Sequence, residues 1–106
     1  RSVSRGLGDV YKRQPLDPIS MALVKGDIAA QAEQVFTNLA AIAEAAGGTL
    51  NNAVKVNISL TDLSDFDAVN TVMASRFEAP YPARACVQVA ALPKGADIEV
   101  EAILVL

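Results

Sequence analysis

Tyr81-Pro82-Ala83-Arg84-Ala85-Cys86-Val87-Gln88-Val89-Ala90-Ala91-Leu92-Pro93-Lys94-Gly95, followed at once by Asp97-Ile98-Glu99-Val100-Glu101-Ala102-Ile103, decides how this chain is read. The stretch predicts two β-strands joined by a tight turn. Alternation places Val87, Val89 and Ala91 on one face and Arg84, Cys86, Gln88 and Ala90 on the other. In the second strand Ile98, Val100, Ala102 and Leu104 alternate with Asp97, Glu99, Glu101 and Ile103. Pro93, Lys94 and Gly95 carry turn chemistry. A hairpin closed there pairs Ala90 with Glu99 and Gln88 with Glu101. Directly paired residues share a face, so Arg84, Cys86, Glu99 and Glu101 are expected together. Alternation alone more often means a solvated outer face. A guanidinium fork beside a carboxylate is nevertheless the best candidate for a site.

The order Pro-Ala-Arg-x-Cys-Val-x-Val-Ala-x-Leu-Pro-Lys, then Ile-Glu-Val-Glu-Ala-Ile, closely resembles the signature of the Rid (reactive intermediate deaminase, RidA-type) family. The resemblance reaches back to about Gln14. It implies an α+β fold, a two-layer mixed sheet with two helices on one face, of chorismate-mutase-like architecture. It also implies hydrolysis of 2-iminobutanoate, 2-iminopropanoate and related enamines or imines to 2-oxo acids and ammonia. The reaction would be cofactor-independent and metal-free. Separately, no apolar run approaches the roughly 20 residues of a membrane span, no signal-peptide h-region is seen and the one cysteine is unpaired, so the expectation is a cytoplasmic protein with no membrane or nucleic-acid partner. Arg84 and Glu99 are the implied catalytic residues, with Arg84, Cys86 and Asn70 binding substrate. Arg84 can grip a carboxylate bidentately at any working pH. Glu99 matches the family's catalytic glutamate and can activate a water. Cys86 is expected to contribute a backbone N–H, since no neighbouring base or cation is evident to activate its thiol. Glu101 shares the face without an implied role.

In the hairpin register, Glu99 lies six residues along from Arg84, roughly 20 Å at strand rise. One small imine cannot touch both. Arg84 of one chain meeting Glu99 of the next removes the difficulty, as head-to-tail cyclic interfaces allow; the resemblance implies a homotrimer with interfacial pockets. The alternative reading is a non-catalytic Rid-fold module that binds ligands or acts as a chaperone.

Composition narrows the chemistry. The 106 residues contain no histidine and one cysteine, Cys86, so Ser-His and Cys-His pairs, internal disulfides and His- or Cys-rich metal sites are excluded. A net charge of −3 argues against a nucleic-acid surface, which makes a ribonuclease or translation-inhibitor role the weakest reading. Apolar residues make up 52%, enough for one modest core.

Residues 1–14 do not match the remainder of the chain. Arg1, Arg5, Lys12 and Arg13 against Asp9 give this piece +3, leaving −6 on the other 92 residues. It shows no sustained period, resembles a translated sequencing-adapter junction, and lacks the family's Gly-Pro-Tyr and Ser-Gly-Gln stretches. The expectation is a non-native or disordered tail over 1–14 and an N-terminally incomplete RidA-like domain over 15–106.

Between the basic piece and the Arg84 strand, Asp27 reads as the N-cap of a helix to about Ala46, stopped by Gly47-Gly48. Its stripe is Ile28, Val35, Leu39, Ile42 and Ala46, widened by Ala32 and Phe36. Residues 53–60 alternate as a strand, with Val54, Val56, Ile58 and Leu60 expected in the core. Ser64 reads as the cap of a second helix through Phe66, Val69, Val72, Met73 and Phe77, with Asn70 in mid-helix. The loop 78–82 is shorter than is usual in the family.

Overall fold

The computed structural model describes residues 9–24 and 26–106. Along these run β1 (Asp9–Arg13), α1 (Ile28–Ala45), β2 (Ala53–Leu60), α2 (Phe66–Arg76), β3 (Ala83–Gln88) and β4 (Ile98–Leu104). Short 3₁₀ turns occupy Leu50–Asn52, Leu63–Asp65 and Pro93–Gly95. The sheet is mixed, in the order β1-β4-β2-β3, and both helices contribute to one core with it. The expected α+β two-layer class is what the chain forms. Among the described residues, no helix is long and apolar enough to cross a membrane.

α1 starts where its cap chemistry places it: the Asp27 carboxylate accepts from the Ala30 N–H at 2.8 Å. It ends where Gly47 takes a φ of +93°, a conformation open to glycine. Val35, Phe36, Leu39 and Ala43 are buried against the sheet. Phe36 meets Phe77 edge-on, with centroids 5.9 Å apart. The buried Gln31 donates to the Asp97 carboxylate at 3.1 Å, fastening α1 to the start of β4. Arg76 fastens the two helices, bonding the Glu33 carboxylate at 2.9 Å and the Thr37 hydroxyl at 2.8 Å.

Four expectations require correction. β3 and β4 do not form a hairpin. β3 pairs in parallel with β2, and β4 pairs antiparallel with the other side of β2, so β2 lies between them. Pro93–Gly95 does turn, with Lys94 and Gly95 at positive φ. However, the segment from Val89 to Asp97 passes over the end of β2, tied by Val89 N–H to Leu60 C=O and Thr61 N–H to Asp97 C=O. The sequence held the competing signal: strand, helix, strand over residues 53–88 is a βαβ unit, which demands a parallel pair.

Val54 is half exposed rather than buried. The register of β2 against β4 slips between Ala53 and Lys55, so Ala53 takes the inward place before Val56. Ser64 does not cap the second helix. Asp62 caps a preceding 3₁₀ turn by accepting from the Ser64 N–H and hydroxyl, and α2 begins at Phe66.

Residues 1–14 are not all tail. Asp9–Arg13 pairs antiparallel with Leu104–Val100, and the Tyr11 side chain is buried in the core. Lys12 reaches Glu101 at 3.7 Å. The remainder of the expected tail, residues 1–8, lies outside the described residues. Beyond β1, the segment 14–24 folds back on itself through a Leu16–Leu23 bridge, and the Asn38 amide holds it on α1 by donating to the Gln14 and Leu16 carbonyls.

Candidate functional site

Arg84 pairs with Val56 and Cys86 with Ile58, so both project toward the helix face of the sheet. Cys86 accordingly packs against the core. The Arg84 guanidinium carbon lies 5.1 Å from the centroid of the Phe66 ring. Among the described residues Arg84 makes no hydrogen bond or ion pair. None of the described residues occupies its five donors.

Two clefts share Arg84. One, of about 440 Å³, is lined by Asn70, Met73, Ala74, Tyr81, Pro82 and Arg84. The other, of about 500 Å³, is lined by Leu63, Ser64, Phe66, Asp67, Arg84 and Cys86. Helical spacing explains the wall opposite Arg84: Phe66, Asn70 and Met73 fall at i, i+4 and i+7 of α2. The Asn70 amide has no partner among the described residues. A fixed cation and a polar amide therefore face one cleft, the arrangement expected of a site for a small polar anion.

Burial pushes the Cys86 thiol above its ordinary range, and the Arg84 charge pulls it down by less. It stays a thiol at neutral pH and is a poor nucleophile. Its backbone is better placed. The Val89 N–H bonds to Leu60 of β2, and strand alternation then directs the Cys86 N–H away from β2 to the open sheet edge.

Glu99 pairs with Ser59, and Glu101 with Asn57, on the face away from the helices. The expectation that Arg84, Cys86, Glu99 and Glu101 share one face is overturned. Arg84 and Glu99 lie on opposite faces, two strands apart and three residues offset, with Cα atoms roughly 14 Å apart by sheet spacing. The cause is the βαβ crossover, which moved β3 to the far side of β2. The two glutamates also differ. Glu101 accepts from the Asn57 amide at 3.0 Å and faces Lys12. Glu99 has neither a hydrogen bond nor an ion pair among the described residues. It lines a third cleft, of about 530 Å³, together with Arg13, Gln14, Asn38 and Pro93.

In the sequence Phe66 is one position of an apolar stripe and carries no site role. Its i, i+4 relation to Asn70 is the available signal that it flanks the same strand as Arg84.

On this mixed α+β sheet an Arg-bearing edge strand faces Phe66, Asn70 and Met73 of α2 across a small cleft, while Glu99 lines a separate cleft and projects from the opposite sheet face. The profile of the family described as endoribonuclease L-PSP matches residues 13–106, and the chain belongs to that family, the one that includes RidA. It is 53% identical to the crystal structure of RidA from the Antarctic bacterium Psychrobacter, with a TM-score of 0.88 over 94% of this chain and 83% of that one. It is 49% identical over 92 residues to the RutC family protein y4sK of Sinorhizobium fredii, covering 87% of this chain and 73% of that protein. It is 48% identical over 90 residues to the 2-iminobutanoate/2-iminopropanoate deaminase of Capra hircus, covering 85% of this chain. The match spans 66% of the goat protein's length.

Proposed function

We propose that the protein hydrolyses 2-imino acids such as 2-iminobutanoate to 2-oxo acids and ammonia, at sites formed between chains of a homotrimer. The observation that carries the reading is the Arg84 guanidinium, free of hydrogen bonds and ion pairs among the described residues and placed in a cleft with Asn70. Support comes also from relatives named as deaminases at 48% and 44% identity, from goat and human.

In this reading Arg84 holds the substrate carboxylate through paired N–H donors, supplemented by the Cys86 backbone N–H at the sheet edge. Asn70 contacts the substrate from the α2 side. Holding the carboxylate places the C=N carbon for attack. Glu99 of a neighbouring chain takes a proton from water as the water oxygen bonds to that carbon. The C=N pair moves to nitrogen, which takes the proton held by Glu99. The carbinolamine then collapses: the hydroxyl proton passes to nitrogen, the C–N bond breaks, ammonia leaves and the C=O bond forms. No cofactor enters this balance.

Opposite-face placement of Arg84 and Glu99 is what favours a two-chain site. Within one chain the sheet itself separates fork from base.

The test is hydrolysis of enzymatically generated 2-iminobutanoate, followed as loss of its semicarbazide-trapped signal, by this chain and by Arg84→Ala. Turnover that disappears in the variant is expected. A folded chain with no turnover would instead select the non-catalytic ligand-binding or chaperone-like module.

A further inference from the structure

We propose that Phe66 is the positioning residue for Arg84: its ring fixes the plane of the guanidinium so that the fork meets a carboxylate already oriented. The inference rests on the deaminase reading for the identity of its substrate, but its geometry is independent of turnover.

Arg84 is carried by an edge strand and is exposed to solvent. A long side chain in that setting samples many rotamers, and each must be given up when an anion is gripped. Among the described residues no hydrogen bond or ion pair restrains it. Asp67 lines the same cleft without forming an ion pair with it. The contact that restrains the guanidinium is the Phe66 ring, 5.1 Å from its central carbon.

This contact suits the task. A cation–π contact engages the guanidinium charge through the ring's quadrupole and places no acceptor oxygen against its N–H groups, whereas a carboxylate binds through those N–H groups. Phe66 can therefore hold Arg84 without consuming a donor. A carboxylate in the place of the ring would hold it more tightly and would occupy the fork.

The ring is itself fixed from two directions. It packs partly buried against the core. It also stands directly after the 3₁₀ turn Leu63–Asp65, and the Leu63 N–H donates to the Gln88 side-chain carbonyl at 2.9 Å. Gln88 belongs to the same strand and the same face as Arg84. The strand that presents the fork thus also holds the turn that presents the ring. Asp62 stiffens that turn by accepting from both the Ser64 N–H and its hydroxyl.

The experiment compares the whole chain with Phe66→Leu, which keeps apolar volume without a π face, and Phe66→Tyr, which restores the ring. Binding of 2-oxobutanoate is measured by calorimetry, and KM and kcat for 2-iminobutanoate are measured separately. Phe66→Leu is expected to weaken 2-oxobutanoate binding and raise KM by about two- to thirty-fold, the range of a cation–π contact, with kcat changed much less. Phe66→Tyr is expected to restore both, and melting curves should show Phe66→Leu folded. Unchanged affinity in Phe66→Leu overturns the proposal. So does a loss that Tyr does not repair, or a fall in kcat as large as the rise in KM, since these mark a merely structural ring. Ring-dependent binding of 2-oxobutanoate without imine hydrolysis would discard the deaminase reading and keep the positioning role. Absence of 2-oxobutanoate binding by the unmodified chain would overturn both.

Discussion

Arg84 and Glu99 stand on opposite faces of the sheet, with β2 between the strands that carry them. If one reaction needs both, they must come from different chains, and this can be tested by mixing. Arg84→Ala and Glu99→Gln chains should each be inactive alone. Co-expressed in equal amounts, they should regain roughly a quarter of the unmodified activity. In a head-to-tail ring each site draws its Arg from one chain and its Glu from the next, and random assembly makes that fraction intact. No recovery in a folded mixed oligomer would place the whole site within one chain.

The unequal engagement of the two glutamates gives a second contrast. Glu99→Gln removes the proposed base and should lower kcat by about 10²- to 10⁴-fold with little effect on melting. Glu101→Gln disturbs the Asn57 bond and the Lys12 pair and should cost about 1 kcal/mol of stability while leaving most activity. Equal kcat losses in both variants would show that the distinction between an open and an occupied carboxylate does not govern the chemistry.

Much of this is legible in the sequence, and the misses share a cause. The stripe of α1, its Asp27 cap and the extent of β2 follow from period, capping and glycine, which are local signals. The family resemblance implies that Arg84 and Asn70 bind substrate, and the two side chains line one cleft. The pairing partner of β3 is a long-range property. Two consecutive alternating strands default to a hairpin, and nothing within residues 81–104 reveals that β2 lies between them. That error alone puts Arg84 and Glu99 on one face. Val54 fails for a related reason, since a one-residue slip at Ala53 reverses the faces before it. Gln31 and Phe66 escape a sequence reading because a buried amide and a ring under a guanidinium depend on what packs above them.

The clamp between the helices should be measurable in isolation. Arg76→Ala removes bonds to the Glu33 carboxylate and carbonyl and to the Thr37 hydroxyl. Glu33 is half exposed, so solvent screening keeps the ion-pair contribution small. The expected cost is about 1 kcal/mol, seen as a lower denaturant midpoint with an unchanged slope. A larger loss accompanied by a changed slope would indicate that the clamp orders α2 rather than merely fastening it.

Acid stability has a defined sign. Hydrogen bonds to Ser64 hold the Asp62 carboxyl below its ordinary 3.8, and bonds to the Ser20 and Ile19 amides do the same for Asp17. Each contributes stability that is present above 3.8 and is lost as pH falls through its lowered folded value. Asp65 works in the opposite sense, raised by burial and by Asp62 and Asp97, so its protonation relieves a folded-state penalty. The melting temperature should therefore decline below about pH 4, and less steeply in an Asp62→Ala, Asp17→Ala double variant. Parallel declines in the two proteins would remove these turns as the acid-sensitive elements.

The last test concerns β1, which lies in the stretch expected to be a non-native tail and which the fold uses as a strand. Tyr11 is 7% exposed within the core, and its strand covers the edge of β4 that would otherwise present unpaired backbone groups. Tyr11→Ala should then cost about 3 kcal/mol, as a large buried aromatic does. It should also increase association, because a loosened β1 uncovers that edge. Lys12→Ala, which loses an exposed pair to Glu101, should cost much less. Both effects are read by melting and by size-exclusion chromatography. Tyr11→Ala indistinguishable from the unmodified chain would return residues 9–13 to the tail. Loss of stability in Tyr11→Ala alone would mean that packing under the ring, rather than the charge on this basic segment, joins it to the sheet.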